Sequence, residues 1–238
     1  MNGPSRGSNS RAVRVVAVAE EVPCRTEVAE EEALLRDGGP AVRVAVLADR
    51  ALSVGVAVPE LAPWLARARA EGIPVVRRSS GGTGVLHAPG DLAWSLVLPR
   101  DHPLVGRDFV GAYGRLGGGA VRFLAARGRA ASWVPAPGLS AECCLLGERG
   151  QVLVVAERIL GGAAQHADRA ALLHHGILPF AVDRAATGRL FGLPSPGPVD
   201  RLVGLADLGF PRPAFSAVRA LAASFAEEIA APGRDRTT

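Results

Sequence analysis

Apolar and polar positions run along this chain in blocks that suit short helices and strands. Val13 to Ala19 is a brief apolar run. Cys24 to Arg36 (CRTEVAEEEALLR) predicts a helix, acidic at its start and closed by arginine as the helix dipole favours. Gly38-Gly39-Pro40 stops it. The β-branched runs Val42–Leu47 and Leu52–Val58, parted by a turn-like Asp49-Arg50, predict a hairpin. A helix from Pro59 to Gly72 follows, with Leu61, Trp64, Leu65 and Ala68 on one face. Pro74–Arg78 and Asp91–Leu98 read as strands. Asp108–Arg127 predicts a long helix, with Phe109, Tyr113, Leu116, Ala120, Phe123 and Leu124 at helical spacing; Gly117–Gly119 weakens its middle. Gln151–Val155 and Arg169–Leu178 are further strands. Pro194, Pro196 and Pro198 break the helical pieces after Asp183. A last helix spans Pro213–Ala230, with Phe215, Val218, Leu221, Phe225 and Ile229 as its stripe.

Strands and helices mix without a regular βαβ rhythm. The expected class is therefore α/β (α+β), a mixed central sheet flanked by helices. Residues 1–11 predict a disordered tail, 12–190 one domain, and 191–238 a helical extension packed on it. The proline-broken remainder is too short for a core of its own.

Composition narrows the function classes. All 27 basic residues are arginine and the net charge is +4, mild for a nucleic-acid binder; the arginines are scattered, and aromatics at 5% are too sparse for base stacking. No apolar run reaches membrane-spanning length, and the start lacks the long apolar stretch of an export signal, so a cytoplasmic, reducing location is expected, with no membrane partner. Three cysteines, Cys24 and the adjacent Cys143 and Cys144, do not make a disulfide framework.

The chemistry concentrates in RRSSGGTGVLHAPGDLAWSLV, Arg77 to Val97. Two arginines end a strand and a glycine-rich loop follows. Glycines let backbone N–H groups approach an anion, and Arg77 and Arg78 add forked donors. No Gly-Lys-Ser/Thr closes the loop, so it is not a Walker A. No helix with a downstream acid follows, so it is not a dinucleotide fingerprint.

This segment resembles the R-R-x-S-G-G-G-x-V-x-H-x-x-G-N-L motif of the lipoate–protein ligase, octanoyltransferase and biotin ligase family. Arg77, Arg78, Ser80, Gly81, Gly82, Val85, His87, Gly90 and Leu92 stand at matching positions; Thr83 replaces the third glycine and Asp91 the asparagine. Val28–Leu35 resembles the family's first helix, and Leu52–Val56 its substrate-lining strand. VLVVAERILGGAAQ (Val152–Gln165) and ALLHHG (Ala171–Gly176) resemble its second motif, G-R-K-I-x-G-x-A-Q followed by His-Gly. The resemblance implies a class II synthetase-like catalytic domain. It implies ligand-binding roles for Arg77, Arg78, Ser80, Gly81, Gly82, Thr83, Gly84, His87, Asp91, Gly161, Gly162, Gln165 and His175, with Arg78, His87 and Gln165 converging on one cavity that continues into an apolar tunnel.

One departure matters. The family's lysine, which neutralises an acyl-adenylate, falls on Ile159 in a gapless alignment. Arg158 takes its place if one glycine of Gly161-Gly162 is an insertion. A bulge there would shift strand phase and turn Arg158 into the pocket. Cys144 lies where some octanoyltransferases of this superfamily hold the acyl group as a thioester; the alternative is a small buried hydrophobe. Adjacent His174 and His175 point to opposite faces of a strand and cannot share an ion, and a metal cluster of His87, His166 and Cys144 has no ligand spacing behind it. Ser79-Ser80 lacks a nucleophile elbow.

The resemblance implies attachment of a lipoyl or octanoyl group to a lysine of a lipoyl carrier domain, of a 2-oxoacid dehydrogenase or a glycine cleavage H-type protein. A ligase would use ATP and Mg²⁺ with lipoate, through an acyl-adenylate. A transferase would use Cys144 and octanoyl-acyl carrier protein. A relative without catalysis would only bind the acyl ligand.

Overall fold

The computed structural model describes residues 12–106, 109–147 and 150–230; the predicted tail lies outside them. In chain order the strands are β1 (Arg14–Ala17), β2 (Ala41–Val46), β3 (Ala51–Val54), β4 (Val75–Arg77), β5 (Gly84–His87), β6 (Leu92–Pro99), β7 (Ser132–Pro135), β8 (Gln151–Val155), β9 (Arg158–Ala167) and β10 (Ala171–Leu178). The helices are α1 (Cys24–Asp37), α2 (Pro63–Ala70), α3 (Phe109–Leu116), α4 (Gly118–Ala125), α5 (Arg184–Phe191) and α6 (Phe215–Ala230). Seven strands form one sheet in the order β1-β2-β6-β10-β9-β8-β7, and three form a small sheet, β4-β3-β5. Parallel β1–β2 and antiparallel neighbours make the large sheet mixed, as its patterning implies.

Side-chain alternation sorts the faces of the large sheet. Trp94, Leu96 and Leu98 of β6 meet Phe123 of α4 and Leu221 and Phe225 of α6 in the main core. Val97 on the opposite face packs with Leu34 and Leu35 of α1. The small sheet lies on that same side, and α1 packs against both β10 and β4. The functional cavity is the gap between α1, the small sheet and the large sheet.

Three local expectations change. The predicted hairpin of Val42–Leu47 with Leu52–Val58 does not form. Both edges of β2 are taken, by β1 and β6, so β3 leaves to build the small sheet. The helix expected from Pro59 begins at Pro63, where proline's fixed φ and missing N–H suit a first turn. Leu61 is therefore 95% exposed, while Trp64, Leu65 and Ala68 are buried. The long helix over Asp108–Arg127 is two, α3 and α4, broken at Gly117. The Trp133 indole donates to the Gly117 carbonyl at 3.0 Å, and a Cβ at Gly117 would lie 2.3 Å from that nitrogen. The side chain of Phe109 lies outside the described residues.

α6 packs on the main core through Val218, Leu221, Phe225 and Ile229, but Phe215 at its first turn is exposed. Among the described residues no helix is long and apolar enough to cross a membrane.

Candidate functional site

A cavity opens beside the glycine loop. Its apolar walls include Val28, Leu47, Val85, Ala93, Leu145 and Ile177, and Arg78, His87, Cys144 and His175 supply polar groups. Gly162 contributes bare backbone there, since a Cβ would lie 2.9 Å from Leu145 Cδ2.

Arg78 is the centre of the loop. It is buried, and its donors reach only neutral oxygens. Nε donates to Ser80 Oγ at 3.0 Å, one terminal nitrogen to Ser53 Oγ at 3.1 Å, and the other to the Gly81 and Thr83 carbonyls at 3.0 and 3.1 Å. Among the described residues no carboxylate comes within ion-pair distance of it. Burial pulls its guanidinium below the usual arginine range, and Cys144 is the strongest opposing influence. A buried cation without a carboxylate partner is costly, and an anion in the cavity would relieve that cost.

Gly82 brings that cation to Cys144. Its φ of +85° suits glycine, and a Cβ there would sit 2.9 Å from Cys144 Sγ and 3.0 Å from an Arg78 nitrogen, which puts those two atoms within about 6 Å of each other. Gly55 on the neighbouring loop is equally constrained, as its Cβ would lie 2.0 Å from the Gly82 carbonyl. Gly84 has a packing role, wedged against Trp64 and Phe191.

Cys144 opens the 3₁₀ turn Cys144–Leu146 and is half-buried. The Ser140 hydroxyl holds the approach by accepting from the Cys143 N–H at 3.0 Å. Cys143 itself is buried, and burial pushes its thiol up to about 12. Burial also pushes Cys24 up to about 12. Tyr113 is raised too, by burial first and then by Cys144, which keeps its phenol a donor.

A buried hydrogen-bonded chain backs the loop. Glu31 Oε2 lies 2.8 Å from His175 Nδ1, and His175 Nε2 lies 2.7 Å from Ser80 Oγ. The carboxylate sets the imidazole tautomer with its proton on Nδ1, so Nε2 accepts from Ser80, and Ser80 accepts from Arg78. Sequence reasoning missed Glu31, Glu27 and Ser53. A signal existed: Glu27 and Glu31 fall on the same helical stripe as Cys24, Leu34 and Leu35, a face that buries. Arg43 of β2 holds Glu27 through both carboxylate oxygens, at 3.0 and 3.1 Å from Nε. Burial, then Glu31, pushes the Glu27 carboxyl up against that pull.

Several expected site residues stand elsewhere. Arg77 points away from the cavity and clamps the Gly55 and Val58 carbonyls at 3.0 and 2.9 Å. Asp91 is buried and accepts from the backbone N–H groups of Ala88 and Phe180, a turn-holding role. His87 does line the cavity, with Nε2 2.8 Å from Ser53 Oγ. Gln165 does not converge with Arg78 and His87. Its side chain meets His174 Nδ1 at 3.2 Å, across the sheet from the cavity, because it pairs with His174 rather than His175. Only its backbone reaches the loop, accepting from Gly81 N–H at 3.4 Å.

The missing lysine is answered differently from the expectation for Arg158. Arg158 is exposed and reaches only the Leu202 carbonyl, at 3.5 Å. Ile159 is 1% exposed and packs in an apolar cluster with Cys143, Leu145 and Leu202. A bulge is present, but one residue early. Leu153 pairs with Gly161 while Val154 pairs with Ile159, so Leu160 is the extra residue. The shift puts Ile159 on the cavity side of the sheet and turns Arg158 off it. The hairpin turn before it, Ala156-Glu157, has φ values of 46° and 64°, as a two-residue primed turn requires. Gly161 permits close strand approach, since its Cβ would lie 2.2 Å from the Ile177 carbonyl. Neither Arg158 nor any other β9 side chain brings a cation to the cavity, so this strand supplies no charge for an acyl-adenylate and Arg78 is the guanidinium that lines the cavity. Among the described residues no group of three or more His, Cys, Asp or Glu is placed to hold a metal.

The fold is shared with lipoate–protein ligases. A crystal structure of lipoate-protein ligase A bound with ATP superposes with a TM-score of 0.70 at 24% identity, covering 96% of this chain and 90% of that one. A putative lipoate protein ligase from T. acidophilum with bound lipoic acid gives 0.69 at 22% identity, covering 92% and 86%. More narrowly, residues 25–199 match the lipoyl protein ligase A/B catalytic domain, and the chain belongs to that family. Among curated relatives, the octanoyltransferase LipM of Exiguobacterium sp. is 32% identical over 123 residues, and that of Bacillus cereus 30% over 129. These matches cover 48% and 50% of this chain, and 44% and 46% of the relatives' own lengths.

Proposed function

We propose that this protein transfers a medium-chain acyl group, octanoyl in the first instance, through a thioester on Cys144. The donor is an acyl carrier protein, and the acceptor is a lysine of a lipoyl carrier domain, of a 2-oxoacid dehydrogenase or a glycine cleavage H-type protein. The observation that carries this reading is the approach of Cys144 Sγ to the buried Arg78 guanidinium at Gly82. Arg78 thus places a cation without a carboxylate partner beside Cys144, whose thiolate is the nucleophilic form. The curated octanoyltransferases point the same way.

In the first half-reaction the Cys144 thiolate attacks the donor thioester carbonyl. A carbon–sulfur bond to Cys144 forms, the donor's breaks, and the departing thiolate takes up a proton. In the second, the neutral lysine amine attacks the Cys144 thioester. The amide forms, the amine loses a proton, and the Cys144 thiolate is released. The apolar cavity shelters the chain, whose burial contributes about 0.8 kcal/mol per methylene. An ATP-dependent ligase reading draws less support from β9, where Ile159 offers an adenylate no charge.

The test is intact-mass measurement with octanoyl-acyl carrier protein in one tube and lipoate, ATP and Mg²⁺ in another. An octanoyl adduct on Cys144, lost in Cys144→Ala and passed on to a lipoyl domain, is expected. ATP-dependent lipoylation in the Cys144→Ala variant would establish the ligase instead. Acyl binding without an adduct would leave only a binding protein.

A further inference from the structure

A second cavity adjoins the first. The two share Val85, His87 and Leu145 as a common wall. Cys143 and Leu145, which flank Cys144, both face the second cavity, so it ends at the turn that carries the proposed nucleophile. Apolar groups such as Leu86, Val182 and Phe191 line much of it.

Two charged residues border it, Arg50 and Asp183. Asp183 is engaged: its carboxylate caps α5 by accepting from the Ala186 N–H at 2.8 Å, and its carbonyl accepts from the Thr187 hydroxyl at 2.8 Å. Arg50 is exposed, and among the described residues it makes no hydrogen bond or ion pair. The cavity thus combines one free cation, largely neutral walls and a border at Cys143 and Leu145, the two residues that flank Cys144.

We propose that this cavity takes the phosphopantetheine arm of the acyl donor, with its phosphate at Arg50 and its thioester at Cys144. The inference rests on the thioester-transfer reading above. The arm has a phosphate at one end, an uncharged chain between, and a thioester at the other. Those three parts have counterparts in the exposed Arg50, the apolar walls and the turn next to Cys144. The acyl chain continues past Cys144 into the first cavity, which places the scissile carbonyl at the shared wall. A nucleoside triphosphate fits poorly. Its several negative charges call for several cations or a metal, whereas one guanidinium stands here beside a carboxylate.

Two small donors separate the phosphate from any contact with a carrier protein's surface: octanoyl-phosphopantetheine and octanoyl-pantetheine. Initial rates of Cys144 octanoylation are read by intact mass at sub-saturating donor. The wild-type protein is expected to prefer the phosphorylated donor by about tenfold, the scale of one charge-assisted contact. Arg50→Ala should remove that preference by slowing only the phosphorylated donor. Equal rates in the wild type, or a preference that survives Arg50→Ala, would overturn the proposal. If neither donor labels Cys144, the transfer reading itself falls and takes this one with it. Labelling by both at equal rates leaves the transfer reading standing and removes the Arg50 site alone.

Discussion

Cys143 and Cys144 are consecutive in the chain and open onto different cavities, Cys144 onto the first and Cys143 onto the second. Only Cys144 also lies beside a cation. The prediction is selective alkylation. Under native conditions near neutral pH, iodoacetamide should label Cys144 alone, because burial pushes the thiols of Cys143 and Cys24 up to about 12. Peptide mapping checks it, and equal labelling of Cys143 would contradict it.

Arg78 should set the rate of that labelling. Two unit charges about 6 Å apart attract by roughly 3 kcal/mol at an effective dielectric of about 20. Partial exposure of Cys144 weakens this. Arg78→Gln should therefore slow alkylation at neutral pH by about tenfold, with circular dichroism unchanged. An unaltered rate would separate the guanidinium from the thiol's reactivity.

Gly82→Ala tests the approach itself. The new methyl group meets both Sγ and the guanidinium, and alanine at a φ of +85° carries a strain of roughly 1–2 kcal/mol. Acyl transfer should fall by two orders of magnitude or more while the melting temperature drops only a few degrees. Retained activity would mean that the loop has room that its backbone does not suggest.

At β9 two substitutions should behave unlike each other. Arg158→Ala is expected to change stability by no more than about 0.5 kcal/mol, as a surface change does. Ile159→Lys places an ammonium group in an apolar cluster and should cost about 3–5 kcal/mol. Denaturant melts check both. A stable Ile159→Lys variant with ATP-dependent activity would reverse the reading of this strand.

His174 predicts an acid limb of stability. It is fully buried, and burial, then His175, pulls its imidazole down to about 3. The unfolded chain therefore binds a proton more readily than the folded one between about pH 6.5 and 3. Its contribution is complete above the unfolded value and is lost as pH falls through that window, at about 1.4 kcal/mol per pH unit. His174→Gln should flatten this limb in urea melts taken from pH 7 to 4. A limb of unchanged slope would assign the acid sensitivity to other groups.

Much of the fold was legible because its signals are local. The acidic start and arginine end of α1, the stripe of α6 and the β-branched runs of β2 and β3 each follow from neighbouring residues. What escaped depends on distant partners. The break between α3 and α4 needs Trp133, and the separation of β2 from β3 needs β1 and β6. At the site, Arg78 and His87 of the glycine-rich segment line the cavity. Gln165 was misplaced because its strand partner decides its face. Glu31 was passed over because acidic residues on a helix ordinarily face water, and only its spacing from Leu34 and Cys24 marks it as buried.

The bulge at Leu160 carries a further consequence. It lets one strand run in two phases, the segment from Gly161 onward matched to the cavity and the segment before it inverted. Deleting Leu160 would remove the extra residue yet leave Leu153 paired with Gly161 and Val154 with Ile159, so Ile159 would still face the cavity side and Arg158 would stay off it. Turning Arg158 inward takes a one-residue slip instead, with Leu160 itself paired with Val154 and Ile159 with Val155. The pairing phase of the strand, as well as its residue types, thus decides whether it presents a positive charge to an activated acid.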